Sequence, residues 1–363
     1  MRSTIFKKII AIIMALSFLA ALFSCGRDTG KPVMTLEDKT VTDRMYGYWL
    51  SSYKAVLLSQ YTDASDSDEF WDMKLSEGFS AEDFFEELCS NYIKSNLVAM
   101  YLFDVLGLEI EDEDEKTAEN IISDMEKEYA DGNRNTFNKL LSNYGVDAEL
   151  LKDLYLEELK STYVYNYVFE NDLLIVGKEE KEAFLNDNYI RIRQIYVNNK
   201  YDLENSSYDD KGNFTMAPLD DETVAAQNEK ITKLKAALDA GEDFDEVYEE
   251  YSEEKSYPNG YYISTLSADL PRELVNAAFS LEVGEVKEFE SDYGVHIIKR
   301  LEMNEGAYDN DENADFFDGF REAVYQSVFN DYVSSYYDRI IYDEEAISKF
   351  SVRDALPNYS FQY

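Results

Sequence analysis

Apolar positions recur every three to four residues through the first half of the chain, the spacing that gives a helix one buried face. Met45, Trp49, Tyr53 and Leu57 share such a face, and the hydroxyl of Thr42 is placed to cap it. The acidic, serine-rich stretch at 63–69 interrupts the pattern. Ser80, followed three residues later by Asp83, is a capping pair. It opens the clearest helix of the chain, through Phe84, Leu88, Ile93, Leu97 and Leu102 to a stop at Gly107. Further amphipathic pieces carry Ile121, Ile122, Met125 and Tyr129, then Phe137, Leu140 and Leu141. Behind a capping Asp147 come Leu150, Leu151, Leu154, Leu159 and Tyr163. The pattern predicts an all-helical region up to about residue 187.

At residue 190 the period falls to two. Ile192, Gln194 and Tyr196 alternate with Arg193, Ile195 and Val197, which reads as a strand. A polar loop over 198–222 is followed by a helix with Ile231, Leu234 and Leu238, stopped by Gly241, and by a short helix with Phe244, Val247, Tyr248 and Tyr251. The turn Pro258-Asn259-Gly260 introduces a strand at 261–264. A helix at 272–279 and strands at 286–290 and 295–301 complete the order βααβαββ. That order is an α+β domain with an antiparallel sheet. Beyond an acidic linker at 305–315, Phe317, Phe320, Val324 and Val328 form one stripe, with Tyr332 and Tyr336 further on. Such a stripe is buried only by docking. The expectation is that it packs on the N-terminal helices, bringing Phe320 or Val324 against the helix of 88–102, with a candidate edge strand within 340–356. Residues 41–187 and 303–363 would then form one helical domain into which 188–302 is inserted.

The N-terminus adds a compartment. Arg2, Lys7 and Lys8 precede an apolar run at 9–23 and then Cys25, the layout of a signal peptide at 1–24. The run is shorter than the roughly 20 residues a spanning helix needs. Leu22-Phe23-Ser24-Cys25-Gly26 resembles the bacterial lipobox, which implies lipidation of Cys25 and a tether, with a short strand, over 25–40. The formal charge of −41, to which the first 24 residues contribute only positive charge, argues against nucleic acid as a partner and leaves the acyl chain as the membrane attachment. With Cys25 modified, Cys89 remains alone among apolar neighbours and reads as a buried structural thiol. One histidine, His296, must carry any imidazole chemistry. The acidic pairs Asp209-Asp210 and Asp220-Asp221 and the run 309–312 lack the spacing of a calcium loop and read as solvated charge, so no metal or cofactor is expected.

Five blocks of the α+β region, RQIYV at 193–197, LDAGEDFDEVYEEYSEE at 238–254, NGYY at 259–262, LVNAAFSLEVGEV at 274–286 and YGVHIIKRLE at 293–302, resemble parvulin-type prolyl isomerases in order and spacing. The resemblance implies a parvulin-like domain. With the leader and the returning C-terminal helix, the chain further resembles the extracytoplasmic foldase lipoproteins of Gram-positive bacteria and, more remotely, periplasmic chaperones with helical N-terminal domains. Parvulins pair two histidines beneath the bound peptide, flanked by a Cys or Asp and a hydroxyl. The second histidine matches His296, while the first falls on Gln194, a departure that removes the two-imidazole arrangement. The Cys/Asp position falls on Glu254 and the hydroxyl on Ser291. Leu270 and Leu274 take the positions of the Met and Phe that wall the proline slot.

The implied function is cis-trans isomerisation of X-Pro bonds in unfolded, exported polypeptides. The absent first histidine supports a second reading, a non-enzymatic holdase with a degenerate parvulin domain. A third, a ligand-binding transporter lipoprotein, is disfavoured by the strand-poor flanks. Phosphopeptide specificity is not expected, because the 198–222 loop offers only Lys200 and Lys211 among many acids. Several of the 30 tyrosines, among them Tyr155, Tyr163, Tyr332 and Tyr336, fall on helix stripes, where they suit core packing or an amphipathic cleft for unfolded chains.

Overall fold

A computed structural model describes residues 30–61, 64–208, 214–264 and 270–363. The leader and Cys25 lie outside these residues. The chain divides into two compact units, one of residues up to Leu174 together with Phe329–Tyr363, the other Ile175–Val328.

The first unit contains β1 (Pro32–Leu36), β2 (Lys39–Thr42), α1 (Asp43–Gln60), α2 (Asp68–Trp71), β3 (Lys74–Ser76), β4 (Phe79–Ser80), α3 (Ala81–Val105), α4 (Asp112–Ala130), α5 (Arg134–Leu141) and α6 (Ala148–Glu170). Its caps follow the sequence. Thr42 accepts from the Met45 N–H, Asp147 from Leu150, and Ser80 and Asp83 form a reciprocal capping box. Trp49, Phe85, Ile93, Leu97, Phe137, Leu151 and Leu154 meet in one core, where each large side chain removed from water contributes roughly 2 to 3 kcal/mol. Cys89 is buried there, and desolvation pushes its thiol up to about 12, an inert group. The region is not purely helical. Val33, Met34 and Leu36, expected in a tether, are buried in the core, because β1 is the centre of a three-stranded sheet between β2 and the C-terminal strand β11 (Ile341–Tyr342).

The second unit contains α7 (Lys178–Asn188), β5 (Tyr189–Val197), β6 (Tyr201–Tyr208), β7 (Phe214–Pro218), α8 (Asp221–Asp239), α9 (Phe244–Tyr251), β8 (Tyr261–Ser264), α10 (Arg272–Phe279), β9 (Val286–Ser291) and β10 (Gly294–Leu301). Strands β8-β5-β10-β9, in that order, form an antiparallel sheet. Strict alternation gives it two faces. Ile195, Val197, Val295 and Ile297 pack against α8 and α9 through Ile231, Leu234, Phe244, Val247 and Tyr248. Ile190, Ile192 and Ile298 pack against α10 through Leu274, Ala277 and Ala278.

Two expectations need correction. The 198–222 segment is not a loop: β6 and β7 pair as a hairpin, which its polar composition concealed. The C-terminal stripe is divided along α11 (Phe320–Ser334). Phe317, Phe320 and Val324 are buried with Leu185, Tyr189 and Tyr262 in the second unit, and not against the helix of 88–102. Phe329 and Val333 enter the first unit's core instead, where Tyr337 donates to the Asn91 carbonyl of α3. A single period of 3.6 cannot reveal that successive turns of one helix serve different cores. Among the described residues no helix is long and apolar enough to cross a membrane.

Candidate active site

The site lies on the sheet face that carries α10, and pairing of β10 with both of its neighbours builds it. His296 stands in the middle of the sheet, directly opposite Tyr196 on β5 and Phe289 on β9. The two flanking rings sandwich the imidazole, Phe289 parallel to it at 4.7 Å and 5°, Tyr196 tilted at 4.9 Å. Only 7% of His296 is exposed. This burial disfavours the charged ring and lowers its pKa to about 4, so it is neutral at physiological pH.

Ser291 Oγ lies 2.7 Å from His296 Nε2 and accepts the backbone N–H of Tyr293 at 3.0 Å. The β9–β10 turn that holds it closes at Gly294, whose φ of +149° lets the backbone pass close to the Val197 carbonyl. Gln194 shares the face with His296 but is paired with Ile298, one step further along the sheet. Its Oε1 accepts the Tyr261 hydroxyl at 3.3 Å. His296 and Gln194 therefore do not face each other. Nδ1 of the imidazole is buried without a hydrogen-bond partner among the described residues, a cost of roughly 1 to 3 kcal/mol. The Ser256 hydroxyl and then its backbone N–H, the latter at 2.6 Å, donate to Glu254 and hold its carboxyl below the usual range. After burial, its charge is the next cause that pushes the Tyr261 hydroxyl upward, so it acts on the same corner as Gln194. Leu270 and Leu274 join Tyr261 and Phe289 in one apolar cluster. The segment 265–269, just before Leu270, is outside the described residues.

Five of the six expected side chains thus share one face, while Glu254 is bonded to Ser256 in its own turn and reaches that face only through the charge felt by Tyr261. Sequence reasoning passed over Tyr196, Phe289 and Tyr261. The signal that finds them is register: each lies opposite or beside a candidate residue on a neighbouring strand.

A serine bonded to a histidine suggests an activated nucleophile, but the rest of that machinery is missing. A ring with a pKa near 4 is a weak base, and among the described residues no carboxylate orients Nδ1. What the face offers is an apolar, poorly hydrated shelf with a neutral imidazole and hydroxyls. Beside it a cavity of about 400 Å³ is lined by Lys200, Pro271, Glu273, Glu290, Ser291, Asp292 and Tyr293. Its one cation among the described residues, Lys200, is paired with Glu290 at 2.6 Å, so it offers no unpaired charge to a phosphoryl group.

The buried imidazole makes a pH prediction. The folded ring ionises near pH 4 and an unfolded one near 6.5, so between those values only the unfolded chain takes up this proton. His296 therefore lowers stability progressively as pH falls from 6.5 towards 4, and adds no slope above 6.5. The imidazole Cε1–H resonance of the folded protein should stay unshifted from about pH 8 to 5. A midpoint at the ordinary histidine value would show an open, hydrated ring.

The sheet, its helices and the His296 face are similar to those of parvulin-type rotamases. Residues 214–302 match the Rotamase family, described as a PPIC-type PPIASE domain. His296, Ser291, Glu254, Leu270 and Leu274 fall inside the match, and Gln194 precedes it. The chain is 28% identical over 234 residues to the foldase protein PrsA 4 of Bacillus cereus, covering 63% of this chain and 69% of that one. It is 40% identical over 80 residues to the foldase protein PrsA of Geobacillus kaustophilus, where the match covers 21% of this chain and 28% of the relative, less than two thirds of its length. Among solved structures, a peptidylprolyl isomerase (PrsA) from Bacillus cereus is 19% identical, with 82% of this chain and 95% of that chain covered and a TM-score of 0.25.

Proposed function

We propose that the chain is an extracytoplasmic foldase whose first unit holds unfolded, newly exported polypeptide and whose second unit isomerises X-Pro bonds on the His296 face. The observation that carries the reading is the desolvated His296, fixed by Ser291 and its aromatic neighbours on the same face as Leu270 and Leu274. An X-Pro bond turns over a barrier of about 18 to 20 kcal/mol because amide resonance resists twisting. Resonance is weaker in an apolar slot, and hydroxyl or imidazole donors stabilise the twisted carbonyl. Leu270 and Leu274 seat the ring, Gln194 and Tyr261 supply further donors, and no covalent intermediate is needed. Cys25 anchors the mature chain by lipid to the bacterial cell membrane, and Cys25→Ala should release it from the membrane fraction.

One observation favours a holdase without turnover. Gln194 is engaged by Tyr261 and leaves Nδ1 of His296 unpartnered, so the hydrogen-bonded pair of the family is absent. Refolding of a client limited by proline isomerisation separates the two. A foldase accelerates the slow phase, which uncatalysed lasts tens of seconds or more, and suppresses aggregation. A holdase suppresses aggregation and leaves that phase unchanged, which would overturn the isomerase reading.

A further inference from the structure

The first unit contains a carboxylate held by neutral donors alone among the described residues. Glu158, half-buried in the middle of α6, accepts the Trp49 Nε1–H at 2.6 Å, the Tyr363 hydroxyl at 2.7 Å and the Tyr92 hydroxyl at 2.8 Å. All three donors are neutral. Among the described residues no lysine or arginine pairs with Glu158; Lys160, two positions on, is engaged by Glu157 at 2.7 Å. Partial burial of an uncompensated charge is costly, and desolvation raises the carboxyl's pKa. Hydrogen bonding is also incomplete. A carboxylate has about four acceptor positions. Among the described residues Oε1 takes two donors and Oε2 only Tyr92, so one position remains.

Glu158 lines a cavity of about 100 Å³, together with Tyr48, Ser52, Tyr53, Val56, Tyr92, Gln362 and Tyr363. Four of these are tyrosines, with Tyr53 and Tyr92 stacked in parallel at 4.4 Å. Aromatic faces attract cations, most strongly where water is excluded. A negative charge with a vacant acceptor position, aromatic walls and further polar side chains at Ser52 and Gln362 describe a receptor for a positive group bearing N–H donors. The volume suits the end of an aliphatic ammonium chain rather than a larger organic cation.

We propose that this cavity is a binding site for a primary ammonium group of lysine type, seated on Glu158 within the cage of Tyr48, Tyr53, Tyr92 and Tyr363. It goes beyond the foldase reading and does not depend on the His296 face. The ammonium could come from a lysine side chain of a bound polypeptide or from a free small amine. Either presents the same N–H donors to Glu158.

The test uses the whole mature chain. Its two tryptophans give two indole N–H resonances: Trp49, bonded to Glu158, reports on the site, and Trp71, bonded to Asp66, serves as reference. Titration with n-butylammonium should shift the Trp49 resonance saturably and leave Trp71 in place. n-Butanol, which lacks the charge, and tetramethylammonium, which lacks N–H donors, should shift it far less. Nα-acetyl-lysine methylamide binding as tightly as butylammonium assigns the site to polypeptide lysines, and butylammonium binding alone assigns it to free amines. Glu158→Gln should weaken binding by roughly tenfold or more, the worth of a charge-assisted hydrogen bond. Val56→Phe fills the cavity while Glu158 and its three donors keep their identities, and should abolish binding in a folded protein. The proposal is overturned if butylammonium leaves Trp49 unshifted, if butanol shifts it equally, or if Val56→Phe binds as well as the wild type.

Discussion

Gly294→Ala should cost about 3 kcal/mol of stability and loosen the His296 face. At φ +149° an added Cβ would stand 2.4 Å from the Val197 carbonyl oxygen and 3.1 Å from Asn198 Cα, both backbone atoms that cannot swing away. The strand pair must part or the turn must rebuild, and either displaces Ser291, which pairs with Gly294 in the ladder. Gly284 is the control. It also has a positive φ, +88°, but an added Cβ would meet nothing within 4 Å, so its alanine variant pays only backbone strain, about 1 kcal/mol. Urea unfolding followed through β10 amide signals measures both. Equal midpoints for the two variants would mean that the close approach to Val197 is not what limits this turn.

Lys54→Met should destabilise the first unit by a similar amount, about 3 kcal/mol, and free the C-terminal segment. Lys54 is fully buried on α1, yet its ammonium donates to the carbonyls of Ala355 at 2.7 Å and Arg353 at 3.0 Å and pairs with Asp66 at 2.8 Å. It also lies 5.1 Å from the centre of the Trp71 ring. Methionine preserves most of the stem's packing, so the loss reports on the charge and its three partners. Removing it leaves Asp66 without its ammonium and two carbonyls short of a donor. Faster amide exchange at Val352 and Asn358, both fully buried, is the local signature. Unchanged exchange there would show that the tail is held by its apolar contacts alone.

The elements with one dominant period were legible in the sequence. α3 announced itself by its capping box and apolar stripe, and β5 by its alternation. Less visible were features decided by pairing across the chain. β1 is a core strand because β2 and β11, the latter some 300 residues away, flank it, and no local pattern encodes such a partner. The hairpin β6–β7 is polar because its composition reflects solvent, not its ladder. At the site, the residue types were legible and their mutual geometry was not. His296, Ser291 and the two leucines could be placed, but the aromatic sandwich follows from register, and Gln194 turns to Tyr261 and not to His296.

That last point bears on turnover. A neutral imidazole held by Ser291 and packed between two rings corresponds to half of the hydrogen-bonded pair expected from the parvulin resemblance, and Gln194 keeps donors nearby without holding Nδ1. On the proposed isomerase reading, rate enhancement would rest on desolvation and orientation more than on a second imidazole.

The most direct measurement is cis-trans exchange of an Ala-Pro peptide followed by NMR with the whole chain, its His296→Ala variant and buffer alone. The account predicts exchange clearly faster than buffer with the wild type and a return most of the way to the buffer rate with His296→Ala. Wild-type exchange no faster than buffer, or an alanine variant as fast as the wild type, would contradict it.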